Sequence, residues 1–183
     1  FLSERYLRWL TDRLGDVMVF NKNLWLHTKK GLRASDLLVG STVKLMENGS
    51  PVEFYVAKHD YEPSLNGTGR TLLVRKDCCD QIAFNSTGIN KYASGTVDTW
   101  LNETYKSRLD ANIRSAISTT MFYYTIGDNN TTITTLSRSV FLLSGKECDK
   151  TQQLANSEGS VLPLASKLQI AYYNGSAVEW WSR

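Results

Sequence analysis

No stretch of this chain holds the roughly 18 consecutive apolar residues that would cross a bilayer. Its start, Phe1-Leu2-Ser3-Glu4-Arg5-Tyr6, also lacks the charged-then-apolar order of a signal peptide. A soluble chain with no membrane insertion is expected. Excess charge is missing too. The net charge is +3, and the densest basic groups, Lys29-Lys30 with Arg33 and Arg70 with Arg75-Lys76, are too small to track a phosphate backbone. Nucleic acid is therefore not an expected partner. Cysteine is scarce: of the three, Cys78 and Cys79 are adjacent and cannot easily bridge each other, so at most one pairs with Cys148. That excludes a disulfide-stapled scaffold. The two histidines, His27 and His59, lie far apart, and Cys78, Cys79, Cys148 and His59 lack the spacing of zinc ligands. No Gly-X-Ser-X-Gly elbow, phosphate-binding glycine loop or His-Glu-X-X-His helix is present. Asp36 or Glu53 near His59, and Asp77 with Asp80, are acids that any surface supplies. No catalytic residue, metal site or cofactor is expected.

What the chain does have is enough length, 183 residues, for one ordinary domain with a short extension. Two of its five tryptophans, Trp180 and Trp181, crowd against the final Ser182-Arg183. Each indole buries about 150–250 Å² when packed, so this end is expected to tuck into a core or to meet another chain. Trp180 and Trp181 are thus the candidate assembly interface. The sequence begins at Phe, which predicts a processed terminus or a piece of a longer protein. Seven Asn-X-Ser/Thr triplets start at Asn48, Asn66, Asn85, Asn102, Asn129, Asn130 and Asn174. They mean heavy glycosylation in a eukaryotic secretory route and merely polar loops elsewhere; the odd cysteine favours the second.

The pattern of elements is legible in outline. Ser3 is placed to cap a helix to about Leu14, with Leu2, Tyr6, Leu10 and Leu14 at helical spacing beside Trp9. Residues 17–20 and 23–26 read as short strands and 29–35 as a connector. Thr42–Met46 and Val52–Lys58 flank Asn48-Gly49, the strongest hairpin signal in the chain. Leu72, Leu73 and Val74 within 71–76 predict a buried central strand. Ser94 or Thr96 is expected to cap a helix reaching Tyr105, and Asp110 a second through Ile113 and Ile117. Strands are predicted over 121–126, 131–136 and 139–143, a loop over 151–160, and a second Asn-Gly hairpin from 171–173 and 178–181. Short strands, two small helices and long polar loops make the fold class α+β.

Tyr123-Tyr124 and Tyr172-Tyr173, beside Asn/Gly turns that include Asn174, are amphipathic aromatics of the kind that contact sugars or proteins. They are the candidate binding residues. Neighbouring tyrosines on a strand otherwise pack one inward and one outward.

Several segments in order carry a family resemblance. They run from Leu32 to Lys44, through Asn48-Gly49-Ser50-Pro51-Val52-Glu53-Phe54 and Thr71–Asp77, to Tyr92 and Ser94 before Trp100-Leu101-Asn102. Leu109-Asp110-Ala111-Asn112-Ile113, Phe141-Leu142-Leu143-Ser144 with Glu147, Ala171-Tyr172 and Trp180-Trp181 complete the series. Together they resemble an uncharacterised domain of tailed bacteriophages, prophages and gut bacteria, over about residues 32–183. The resemblance implies a C-type-lectin-like fold, related in shape to formylglycine-generating enzymes and to variable phage receptor-binding proteins. It implies residues 1–31 as an N-terminal helix and attachment segment and 32–183 as the lectin-like domain. Where that family continues past Trp-Trp-Leu-Arg-Ser-Pro for several strands, this chain stops, so a truncated C-terminal part with an unpaired sheet edge is expected.

The implied function is a non-catalytic virion structural, decoration or receptor-binding protein on the phage particle. Its partners would be other virion proteins, copies of itself, or a host-surface glycan or protein. The alternatives are an oxidoreductase of the formylglycine-generating kind, which needs a reactive cysteine pair that Cys78, Cys79 and Cys148 do not supply by spacing, and a bacterial cell-surface adhesin. Lectin-like domains often use Ca2+, yet no cluster of Asp, Asn and Glu is dense enough to predict a site, and Asp128-Asn129-Asn130 reads as a turn.

Overall fold

A computed structural model describes residues 19–20, 23–24, 33–150 and 157–183. The helix expected over 3–14, His27 and most of the loop expected over 151–160 lie outside the described residues. Among the described residues nine strands form three sheets, with a few short helices, an α+β arrangement as expected.

The largest sheet has five strands in sequence order. The two-residue strands β1 (Val19–Phe20) and β2 (Asn23–Leu24) pair antiparallel, and β2 meets β3 (Thr42–Glu47) in parallel at Leu24 and Val43. β3 and β4 (Ser50–His59) form the Asn-Gly hairpin, registering Glu47 with Ser50. Asn48 and Gly49 both take positive φ, 50° and 75°, the backbone that lets a two-residue turn follow the twist of its strands. β5 (Thr71–Arg75) pairs with β4 across a bulge at Ala57.

Both faces of the sheet are covered. Val56 and Ala57 are consecutive and both fully buried, because successive residues of a strand point to opposite faces and each face packs on its own cluster. One face carries Val43, Phe54 and Val56 against Tyr92, Val97, Leu101, Tyr105 and Phe122. The other carries Ala57, with Tyr55 and Val74, against Leu143, Cys148, Leu162, Leu164 and Leu168.

A four-residue helix, α1 (Pro63–Asn66), follows β4, with proline at its start where the missing N–H costs nothing. A continuous helix, α2, runs over 96–108, with a π-helical turn at Leu101–Tyr105. Its N-cap is Gly95 rather than the predicted Ser94 or Thr96. A Cβ at Gly95 would come within 2.7 Å of the Lys91 carbonyl oxygen, so only glycine fits. Asp98 instead accepts from the Ser94 N–H at 2.8 Å and forks onto Arg138. α3 (Ala111–Ala116) begins after Asp110 as predicted.

β6 (Thr120–Gly127) and β7 (Asn130–Arg138) make a second hairpin, and β8 (Ala171–Tyr173) and β9 (Ser176–Val178) a third. β9 starts earlier than the sequence predicted, directly after Asn174-Gly175. Two expectations fail. Residues 139–143 are not a strand, and β5 is not central: it closes the order of the five-stranded sheet, with no strand beyond it among the described residues.

Candidate functional site

Two features of the fold concentrate unusual chemistry: a buried ionic cluster and an open apolar groove. In the cluster, the Arg183 side chain and Glu147 are both fully buried and pair at 3.0 Å. The guanidinium lies over the Phe122 ring at 4.5 Å and the Phe141 ring at 5.6 Å. It also donates to the Tyr123 carbonyl at 2.9 Å and to the Leu142 carbonyl. Glu147 accepts from the Tyr61 hydroxyl at 2.5 Å and from the Ser144 N–H at 2.8 Å. The Ser144 hydroxyl donates to the Glu158 carbonyl at 2.7 Å, and the Glu158 carboxylate accepts from the Thr125 N–H and hydroxyl.

The electrostatics follow from burial. Burial alone would lower the Arg183 pKa, but Glu147, with Tyr61 and Glu158, outweighs it and raises the value. Burial, reinforced by Glu147, pushes the Tyr61 phenol up, so it stays a donor. Burial raises the Glu158 carboxyl against the opposing bonds from Thr125. Nearly every polar atom of the cluster is used internally, which makes it a clasp joining Tyr61 just after β4 with β6, residues 142–147 and the Trp-rich segment. At its edge Glu62 keeps one buried oxygen without a hydrogen bond, and Lys58 stands 3.9 Å away, near enough for attraction but too far for a hydrogen bond.

The groove has a volume of about 1410 Å3. β5 forms one wall, α2 and α3 with Val140 and Phe141 another, and Ile170, Trp180 and Trp181 the far rim. Every residue of β5 is only half-buried although three of its five are Leu or Val. Ile170 is 60% and Trp181 54% exposed.

The sequence candidates divide between these places. Trp181 stacks on Phe84 at 5.6 Å and donates its indole N–H to the Ile82 carbonyl at 2.9 Å. Trp180 packs into the second core cluster with Lys150 over its ring at 4.1 Å, while its buried indole N–H has no acceptor. The tyrosine pairs are not brought together: Tyr123 and Tyr124 lie on β6, and Tyr172 and Tyr173 on β8 in another sheet. Tyr124 packs on the core and Tyr173 lines the groove. Tyr172, Asn174 and Gly175 share a depression of about 380 Å3 with Lys76, Asp77 and Cys78.

Thiol chemistry gains nothing from the geometry. All three cysteines are free. Burial pushes the Cys78 and Cys79 thiols up and Cys148 to about 12, which leaves them protonated and weakly nucleophilic at neutral pH. The His59 Nε2–H donates to the Leu37 carbonyl at 2.8 Å while Nδ1 accepts from Thr71 at 3.0 Å, so the ring is structural. Among the described residues no three His, Cys, Asp or Glu side chains could hold a metal ion, and no described helix is long and apolar enough to cross a membrane. Two sequons are structural as well. The Asn66 amide donates to the Tyr61 and Met121 carbonyls, and that of Asn102 to the Asp98 and Val140 carbonyls.

Sequence reasoning missed Arg183, Glu147 and Tyr61 as a unit. The only available signal was an arginine beside two tryptophans, and a charged residue in that place ordinarily faces solvent. No curated protein and no solved structure matches the chain. A family of domains does, over residues 68–183, which takes in β5, both later hairpins, much of the groove lining, and Glu147 and Arg183 of the clasp but not Tyr61. The chain therefore belongs to the family described as domain of unknown function DUF6273.

Proposed function

We propose that this chain is a non-catalytic binding and assembly module with a C-type-lectin-like fold, carried on a bacteriophage particle as a structural, decoration or receptor-binding component. One observation carries the non-catalytic part. The buried Arg183–Glu147 pair is enclosed in a clasp, whereas the large open concavity is lined chiefly by apolar and aromatic side chains and suits a protein surface better than a small polar reactant. The ordered segments from Leu32 to Trp181 that resemble the phage domain supply the phage part of the reading. Exposed polar hairpin turns at Asp128-Asn129 and Asn174-Gly175 on a packed scaffold suit display.

The test is the mass of the full chain in solution, alone and with virion proteins encoded beside it, together with an assay for oxidation of a thiol peptide. Stable co-assembly with a virion protein, without thiol oxidation, is the expected result. Oxidase activity abolished by Cys148→Ser would overturn the reading in favour of the formylglycine-generating kind. A monomer that ignores every virion protein and binds only bacterial wall would overturn it in favour of a cell-surface adhesin.

A further inference from the structure

The free edge of β5 has a defined hydrogen-bonding pattern. Val56 donates to the Ser41 carbonyl at 2.9 Å and accepts from the Gly40 N–H at 2.8 Å, so both its backbone groups point away from β5. Val56 registers with Leu73, which is therefore a non-hydrogen-bonded pair, and the N–H and C=O of Leu73 face outward. The bonds from Lys76 N–H to the Glu53 carbonyl and from Asp60 N–H to the Arg70 carbonyl fix the same phase at either end of the strand. Thr71, Leu73 and Arg75 thus present an alternating row of donors and acceptors along the groove, and none of the described residues pairs with it.

Three further observations say what would pair there. Leu73 packs on one core cluster and Val74 on the other, with Leu72 reaching both. A strand apolar on both faces is the pattern of a sheet interior, not of an edge, and β5 has no proline or inward charge to blunt it. The groove exceeds the roughly 300–1,000 Å3 that encloses a small ligand. The lining is apolar for much of its extent, with Leu, Ile, Val, Phe and Trp side chains outnumbering the charged ones. Charge gives the occupant its ends: Arg70 at one end of β5 and Asp77 at the other line the groove, and neither has an ion-pair partner among the described residues. Ile170 and Trp181, both more than half exposed, also line the groove and extend its apolar surface to solvent.

We propose that β5 is a docking edge: an extended apolar strand of a different polypeptide, acidic where it passes Arg70 and basic where it passes Asp77, adds to the sheet beside β5 and fills the groove. This rests on the assembly reading above, and it names the binding mode and the partner chemistry. Main-chain hydrogen bonds supply affinity in such strand addition, and pockets for alternate side chains supply selectivity.

The test uses the full chain and a fluorescein-labelled peptide of alternating valine and threonine, with an aspartate at one end and a lysine at the other. A second peptide is the same but N-methylated on the residues of one edge. Fluorescence anisotropy should show saturable binding of the first peptide and at least about tenfold weaker binding of the second, the loss of one to two hydrogen bonds. Leu73→Pro removes one outward N–H while leaving the ladder to β4 intact, and should weaken binding about as much. Ile170→Lys, at an exposed position, tests the opposite rim should the proline variant not fold.

Three outcomes overturn the proposal. They are equal binding of the two peptides, no binding of either, and a dimer that Ile170→Lys dissociates, which would make the occupant a second copy. Co-assembly with a virion protein that survives Ile170→Lys would leave the assembly reading standing while the docking edge fell.

Discussion

The ionic clasp and the β5 groove lie within one core yet solve opposite problems. Around Arg183, charge has been carried into the interior and matched bond for bond. Along β5, apolar side chains stand half-buried at an opening, and none of the described residues pairs with the strand's outer edge. The clasp shows that burial of charge is tolerated where each donor finds an oxygen. The groove shows that an apolar sequence alone does not cover a sheet edge; a partner must.

The largest expected effect comes from breaking the clasp. Glu147→Ala or Arg183→Ala leaves its partner buried and uncompensated and should cost about 3–5 kcal/mol in urea unfolding. Glu147→Leu combined with Arg183→Met should cost less than either, because no orphaned charge remains. A double variant worse than the singles would mean that the clasp contributes more than charge balance.

Truncation on either side of that divide sharpens the contrast. Phe122→Ala, fully buried under Arg183 and stacked on Phe141 at 4.4 Å, should cost about 3–5 kcal/mol. Leu73→Ala, half-buried on β5, should cost less than half of that in the free chain. Equal costs would mean that the groove is closed in solution.

The titration of Glu158 gives a smaller, signed effect. Its folded pKa is raised by burial, so the native state keeps this proton to higher pH than the unfolded chain does. Between the ordinary carboxylate value and the raised one, stability should fall as pH rises, and stay flat on either side. Glu158→Gln should remove that slope in thermal melts across the acid range.

The smallest effect belongs to the surface. The Lys76 hydrogen bond lowers the Glu53 pKa, and the same bond raises that of Lys76. Their 2.7 Å pair therefore contributes above the ordinary carboxylate value and is lost as pH falls through the depressed one. Both side chains are about a third exposed, so Lys76→Met should cost no more than about 1 kcal/mol and less in high salt.

These contrasts explain what the sequence could reveal. Asn48-Gly49 and Asn174-Gly175 marked their hairpins because a two-residue turn needs positive φ whatever surrounds it. Asp110 marked the start of α3 for a similarly local reason. β5 was misread because Leu72-Leu73-Val74 is the pattern of a central strand, and the position of a strand within a sheet is decided by the other strands. Residues 139–143 look like a strand for the same reason, yet side chains replace the neighbour. Asn102 bonds the N–H groups of Ser139 and Val140 and the Val140 carbonyl, and Tyr92 and Arg183 bond Leu142. The clasp was invisible because it joins residues separated by up to 122 positions, and no local pattern records such a meeting.

That separation bears on how the chain leaves the ribosome. Glu147 is made about 36 residues before Arg183, and synthesis at about 5–20 residues per second puts some 2–7 s between them. During that interval the Tyr61 and Glu147 region lacks its cation, so the nascent domain cannot bury Glu147 ionised. Closure over Phe122 and Phe141 is therefore expected to follow the synthesis of Arg183, which supplies the charge and the cation over both rings.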